Sequence, residues 1–174
     1  MAEGPRHKIA KRVRCGDRSG ETTTPPNNWP GTMKYFTRRA IDIEIILPGE
    51  GLAGGIVTFV GTPRANSGNQ KVLFLEYEAY ETMAERLLDA MVLQARGRGS
   101  SIEVFLQHRL GKVPVGEASV YLRVSARHRH EAFSACQFLI DGLKREVPIW
   151  KKEVYREGEA KWGDCELSIG TCVG

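Results

Sequence analysis

The chain has 174 residues, 41% hydrophobic and 26% charged, a composition that fits one folded domain with a real core and excludes a fibrous or wholly disordered chain. No run reaches the roughly 18 apolar residues of a membrane helix, so no membrane is expected as a partner. The net charge of +4 is unevenly spread: residues 1–39 hold nine Lys/Arg against three Asp/Glu, and residues 40–174 hold sixteen against eighteen. The patterned part is therefore slightly acidic, which argues against nucleic acid as its partner.

The opening stretch lacks the apolar core of a secretion signal. It is basic like a transit peptide, but Glu3, Asp17 and Glu21 interrupt it and no apolar helical face is visible, so organelle targeting is not expected. Residues 1–32, with Thr22 to Asn28 and Pro30-Gly31, read as a disordered basic leader. Met33 directly precedes the first patterned segment and offers an alternative start. Cys15, Cys136, Cys165 and Cys172 form no C-x-x-C pair and no zinc spacing, so no metal is expected. A reducing, cytoplasmic setting follows.

Lys34 to Ile41 reads as a strand, and Asp42 to Leu47 as either a short helix or a strand. After the turn Pro48–Gly51, the nearly continuous apolar run Gly55–Gly61 predicts a central strand. Val72 to Ala79 alternates, with Leu73, Leu75, Tyr77 and Ala79 on one face and Phe74, Glu76 and Glu78 on the other. The two glutamates fit the wet face of a strand better than a catalytic pair. Thr82 to Glu85 fits a capping box, and the helix it opens carries Met83, Leu87, Met91 and Ala95 in one stripe. Ile102 to His108 and Ala118 to Val124 alternate as strands, joined by a connection over Leu110–Gly116. A helix follows from about Arg127 to Glu146, stopped by Val147-Pro148. Ile149 to Tyr155 is a last extended segment, and Leu167 to Gly174 a flexible tail. The fold class is α+β, with a mainly antiparallel sheet and packed helices.

Three places could carry chemistry. In the second helix Phe133, Cys136, Leu139, Ile140 and Leu143 form an apolar stripe, and Lys144 falls roughly 70° from its centre. Its stem can follow the core edge while its amine reaches a cleft, where partial desolvation would make it a usable base; a snorkelling surface lysine fits the same position. Lys151 lies beyond the proline break, and two close ammonium groups call for an anion between them. At the helix start, with Ser125 as N-cap, His128 and Arg129 add cations to the free N–H groups of the first turn. That combination suits a phosphate, and a solvated basic turn fits equally well. Arg64, after Phe59-Val60-Gly61-Thr62-Pro63, suits bidentate phosphate contact or a loop ion pair with Glu76 or Glu78. No phosphate loop, nucleophile elbow or metal triad is present.

Together these segments resemble the catalytic (large) subunit family of molybdopterin synthase. The resemblance rests on Phe59 to Arg64, Leu75-Glu76-Tyr77-Glu78-Ala79-Tyr80, His108-Arg109-Leu110-Gly111, His128-Arg129, Phe133, Leu143-Lys144 and Pro148-Ile149-Trp150-Lys151-Lys152-Glu153. It covers residues 34–166, within a domain set at 33–166. Each motif is weak alone; their order and spacing are specific. Pro63 stands where the family more often has a β-branched residue, and Arg127 and His130 make the helix start more basic than usual.

The resemblance implies an α/β-hammerhead-type fold and a homodimer of large subunits. A ubiquitin-like small subunit docks at each end to give a heterotetramer. The small subunit's Gly-Gly tail carries a thiocarboxylate, and two sulfurs pass to cyclic pyranopterin monophosphate to form the dithiolene of molybdopterin, with no cofactor. Lys144 and Lys151 correspond to the pocket lysines, carrying catalysis and substrate binding. Arg64, His128 and Arg129 correspond to the groups that bind the pterin phosphate, some of them across the dimer. The alternative is a non-catalytic module that binds a ubiquitin-like protein tail in the same groove.

Overall fold

The computed structural model describes residues 35–43, 53–99, 101–158 and 160–162. The leader 1–32, Met33, most of Asp42–Leu47, the tail 167–174, and Cys15, Cys165 and Cys172 lie outside the described residues.

Nine strands and two helices are described, in the order β1 (Phe36–Thr37), β2 (Gly55–Gly61), β3 (Asn66–Ser67), β4 (Gln70–Ala79), α1 (Glu81–Arg96), β5 (Glu103–Arg109), β6 (Gly111–Pro114), β7 (Val120–Ala126), α2 (Arg129–Glu146), β8 (Ile149–Tyr155) and β9 (Ala160–Trp162). They form two sheets. The first runs β1-β5-β7-β2; the second runs β3-β4-β8-β9, with β6 also on β4. Only the β1–β5 pair is parallel. This is an α+β domain of the α/β-hammerhead type, mainly antiparallel, as expected.

The core lies between the first sheet and the helices. Leu122 and Val124 of β7, Leu88 of α1 and Leu139 of α2 are fully buried. Each such side chain stabilises the fold by roughly 1.5–3 kcal/mol relative to exposure. α2 packs over β7 and β2 and against α1. At the start of β2 the chain runs close to the start of α2. A Cβ on Gly54 would lie 2.3 Å from the Arg127 carbonyl oxygen, and one on Gly55 2.9 Å from Arg129 Cα, so only glycine fits.

Several expectations are corrected. Gly55–Gly61 is an edge strand, not a central one, and Ile56 is exposed. β5 and β7 hold the interior positions, and β7 is buried along nearly its whole length. In β4 a register shift between Val72 and Phe74 breaks the alternation. A bulge adds one residue, so Val72 and Leu75 point inward and Leu73 outward. The connection Leu110–Gly116 contains strand β6, paired with β4 from Phe74 to Tyr77. There is no capping box at Thr82: α1 starts at Glu81 with Tyr80 as its N-cap and no side-chain cap. Its buried stripe is Ala84, Leu88, Met91, Val92 and Ala95, so Met83 faces out. The first strand is shorter than Lys34 to Ile41, because only Phe36 and Thr37 find ladder partners, on β5.

Candidate active site

β8 leaves the proline break and pairs antiparallel with β4. Strand alternation puts Lys151, Glu153 and Tyr155 on one face and Lys152 and Val154 on the other. Opposed residues share a face, so Tyr77 neighbours Lys151, and Leu75 neighbours Glu153. Lys151 Nζ is 3.7 Å from the Glu153 carboxylate, which also accepts a 2.8 Å hydrogen bond from Tyr155 Oη. Burial alone would push the Glu153 carboxyl upward. Hydrogen bonds from Tyr155 and Ser67 and the Lys151 ammonium outweigh it and hold the group below its ordinary value. The anion expected beside Lys151 is thus partly supplied by the chain itself. On the opposite face Lys152 lies 3.8 Å from Glu76 and over the Trp162 ring.

Arg64 lies in the loop between β2 and β3. The loop is held at two carbonyls: Gly61 accepts from Ser119 N (2.8 Å) and Oγ (3.0 Å), and Pro63 accepts from Gly116 N (3.2 Å). Pro63 is buried and Arg64 exposed. No ion pair joins Arg64 to Glu76 or Glu78 among the described residues; Glu76 faces Lys152 instead. That leaves the loop-arginine reading without its partner.

In α2 the buried set is Ala132, Ala135, Cys136, Leu139, Ile140, Gly142 and Leu143, while Phe133 is exposed. Replacing Phe133 by the small residues rotates the buried face by roughly 50° from the predicted stripe, which leaves Lys144 roughly 120° from its centre. Lys144 is therefore on the solvent side of the last turn rather than at the core edge. Ser125 is no N-cap. It lies in β7, buried, and its hydroxyl is 3.4 Å from Glu103 Oε2. His128 is the N-cap residue, with extended backbone, and Arg129 opens the helix; both are exposed.

The five predicted residues fall into two groups. Gly55 of β2 pairs with Ala126 at the end of β7, beside the start of α2, and Gly61 pairs with Val120 at the other end. Those two ends of β2 are roughly 20 Å apart at strand rise. Arg129 and Lys144 are separated along one helix by roughly 22 Å at 1.5 Å per residue. Arg64, Lys144 and Lys151 therefore belong to one end of the molecule, and His128 and Arg129 to the other. Within a single chain the two groups cannot touch one phosphate.

Four further residues join the first end. Burial, chiefly, raises the phenol pKa of Tyr77, the neighbour of Lys151, and the Ser119 hydroxyl acts the other way. Its ring meets His108 edge-on at 5.0 Å. His108 is buried; desolvation lowers its pKa to about 4, and Nδ1, 2.9 Å from the Arg109 carbonyl oxygen, carries the proton of the neutral ring. Glu153 is the fourth. Its i, i+2 spacing from Lys151 on a strand was the available signal; the Tyr77–His108 ring contact joins separate sheets and left none. A shallow cavity of about 490 Å³ lies over the solvent face of α2, bordered by Arg98, His130, Phe133, Gln137 and Arg145, and none of the five predicted residues lines it. Among the described residues no group of three or more His, Cys, Asp or Glu could hold a metal, and no helix is long and apolar enough to cross a membrane.

Fold and site define a class: a two-sheet α+β domain with exposed cations at both ends of one helix and a lysine–carboxylate pair on the second sheet. The family model described as MoaE protein matches residues 37–146, and the chain belongs to that family. The molybdopterin synthase catalytic subunit of Oryza sativa subsp. indica is 50% identical over 107 residues, covering 62% of this chain and 55% of the rice protein. That of Rattus norvegicus is 44% identical over 135 residues, covering 76% and 68%. The chain thus spans just over half of the plant relative. Molybdopterin synthase from Staphylococcus aureus has a similar solved structure, with TM-score 0.68 and 30% identity over 74% of this chain and 95% of that one. A chain in the complex of subunits 1 and 2 of molybdopterin-converting factor from Helicobacter pylori 26695 shares the fold, with TM-score 0.56 and 22% identity over 65% and 73%.

Proposed function

We propose that this chain is the catalytic subunit of a molybdopterin synthase. It takes sulfur from the thiocarboxylated C-terminus of a ubiquitin-like small subunit and delivers it to cyclic pyranopterin monophosphate, forming the dithiolene. The observation that carries the reading is the gathering of Arg64, Lys144 and Lys151 at one end of the molecule, in a chain of the MoaE family. The names of the rice and rat relatives and of the Staphylococcus structure support it. Both reactants are anions, and this end supplies cations to meet them.

In the mechanism we infer, Lys151 is the electrostatic anchor for the thiocarboxylate, its ammonium oriented by Glu153 at 3.7 Å. Lys144, exposed at the end of α2, is the acid/base. It protonates the oxygen that leaves as the thiocarboxylate sulfur attacks its carbon, and water then cleaves the bond from that sulfur to the tail's carbonyl carbon, releasing the tail as a carboxylate. Arg64 holds the pterin phosphate from the loop anchored at Gly61 and Pro63. Sulfur arrives on the partner, so no cysteine of this chain is required.

His128 and Arg129 enter as the contribution of a second copy. Their distance from Lys144 along α2 means that a complete basic pocket needs the far end of a neighbouring subunit. A homodimer with one small subunit at each end follows. The complex of two subunits in the Helicobacter protein supports a small-subunit partner here. We place the reaction in the cytoplasm.

The test is reconstitution with a thiocarboxylated small subunit and cyclic pyranopterin monophosphate. Dithiolene product is expected; its absence with folded, partner-bound protein leaves a tail-binding module instead. Lys144→Ala should lower turnover about 10²-fold or more while small-subunit binding persists. Arg129→Ala mixed with Lys144→Ala should recover part of the activity, because mixed dimers hold one intact composite pocket. No recovery would assign both residues to the same subunit's site.

A further inference from the structure

β2 is the last strand of its sheet: β7 pairs with one of its edges and, among the described residues, no strand pairs with the other. The strand, Gly55-Ile56-Val57-Thr58-Phe59-Val60-Gly61, contains no charge and no proline. Edge strands ordinarily carry such residues or are covered, because an open row of N–H and C=O groups pairs with any strand it meets. The Gly61 carbonyl faces β7, where it accepts from Ser119 N. Successive residues of a strand turn their N–H and C=O to opposite sides. Gly55, Val57 and Phe59 therefore face β7 as well, and Ile56, Thr58 and Val60 present their backbone groups to the open edge.

We propose that this edge pairs antiparallel with β2 of a second copy of the chain, with Thr58 on the two-fold axis, and that the pairing completes the active site. The proposal deepens the sulfur-transfer reading and rests on it. A two-fold axis makes the same patch serve on both copies. Only the register centred on Thr58 engages every outward residue: Thr58 opposes Thr58, and Ile56 and Val60 oppose each other. That register also sets Gly55 of one copy opposite Gly61 of the other, about 5 Å away. Arg129 packs against Gly55, and Arg64 follows shortly after Gly61. The two cationic groups, roughly 20 Å apart within one chain, are thereby brought together. Arg64, Lys144 and Lys151 of one copy meet His128 and Arg129 of the other, and symmetry builds the site twice.

Phe133 gives independent support. It lies one helical turn beyond Arg129 on the same side of α2, the side that meets β2 at Gly55, yet it is 63% exposed. A phenylalanine uncovered on that side overhangs the open edge, where a second copy buries it. Self-pairing also sets no like charges opposite each other, since β2 has none. A strand from a different protein on this edge would leave His128 and Arg129 with no substrate group to meet.

The experiment uses the full chain. Wild type should sediment as a dimer at micromolar concentration. Thr58→Cys should form an intermolecular disulfide on mild oxidation, because paired residues on the axis have Cα atoms about 5.5 Å apart. Wild type, with its own cysteines, should not crosslink under the same treatment. Ile56→Cys and Val60→Cys should crosslink when mixed and not alone. Thr58 is exposed, so Thr58→Lys should fold as wild type while two ammonium groups on the axis separate the copies. Turnover of that variant with the thiocarboxylated small subunit and cyclic pyranopterin monophosphate should fall at least about tenfold. Mixing it with Thr58→Glu should restore both the dimer and turnover to within about threefold of wild type, which a folding defect would not allow. A monomeric wild type overturns the pairing, and so does a dimer that Thr58→Lys leaves intact and Thr58→Cys does not crosslink. Crosslinking of Thr58→Cys to the small subunit assigns the edge to that partner and overturns it equally. A monomeric Thr58→Lys with wild-type turnover overturns the second copy's part in the site. If wild type makes no product, the sulfur-transfer reading fails, while sedimentation and crosslinking still decide the pairing.

Discussion

In the first sheet β7 is buried along nearly its whole length, with Leu122 and Val124 fully inaccessible; in the second, β8 is half-buried and carries Lys151, Lys152 and Glu153. Helices explain the difference. α1 and α2 pack on the first sheet, and one face of β7, Val120, Leu122, Val124 and Ala126, lies wholly in that core. The second sheet has only a small cluster around Val72, Leu75 and Tyr155, with no helix packed broadly over it. Stability is concentrated in one sheet. The groups proposed to meet the substrate are on the other and at the seam, where charged side chains remain within reach of solvent.

Truncating an apolar residue in each sheet tests that division most severely. Leu122→Ala should destabilise the protein by about 2–5 kcal/mol, since a fully buried leucine leaves a cavity. Val154→Ala in β8, already part-exposed, should cost about 1 kcal/mol or less. Urea unfolding reads both. Equal losses would mean that the second sheet holds the fold as firmly as the first.

The seam should show itself in the pH dependence. His108 is buried and neutral, with its pKa lowered to about 4. Below the ordinary histidine value the unfolded chain takes up a proton that the folded chain refuses until about pH 4. Stability contributed here is therefore present at neutral pH and lost as pH falls from about 6.5 to 4, by about 3 kcal/mol. Tyr77 lies against the ring and Arg109 beside it, and neither supplies an anion to offset the burial. His108→Phe should flatten this part of the stability profile. A slope that survives the substitution would move the titrating group elsewhere.

Periodicity made the long, one-sided elements legible. The extent of β8 and the end of α2 were readable because Val147-Pro148 punctuates them. The inward residues of β4 were not, because one bulge inverts the pattern. The face of α2 was misread for a related reason. Phe133 looked like core, while Ala132, Ala135 and Gly142 do the packing, and hydrophobic size says little about which small residues a neighbouring helix needs. Gly142 is the clearest case, with a Cβ there falling 2.2 Å from Met91 Cε. Candidate residues could be named one by one from the sequence, and their grouping could not. That Arg64 and Lys151 share an end while His128 and Arg129 lie at the other follows from strand register, which the sequence does not state.

A smaller effect tests the far end. A Cβ on Gly55 would lie 2.9 Å from Arg129 Cα, a backbone atom that cannot move aside without shifting the start of α2. Gly55→Ala should cost about 1–3 kcal/mol. Gly97→Ala serves as the control, because its nearest neighbour would be 3.5 Å away in a helical conformation, and it should cost little. Thermal unfolding compares the two. Similar midpoints would mean that β2 and α2 can separate at this end without penalty.

The least costly change concerns the pair on the second sheet. Glu153 is held ionised against its own burial by Tyr155, Ser67 and Lys151. Its contribution is present above the ordinary carboxylate value of 4.5 and is lost as pH falls through the lower folded value. Lys151 is 42% exposed at its side chain, so water screens the attraction and the pair is worth under about 1 kcal/mol. Glu153→Gln should thus leave stability at pH 7 nearly unchanged while making the acid limb below about pH 4.5 less steep. Urea titrations at pH 7 and through the acid range read both effects. An acid limb as steep in the variant as in the wild type would mean that the depressed carboxylate is another one, and that Lys151 keeps its position without Glu153.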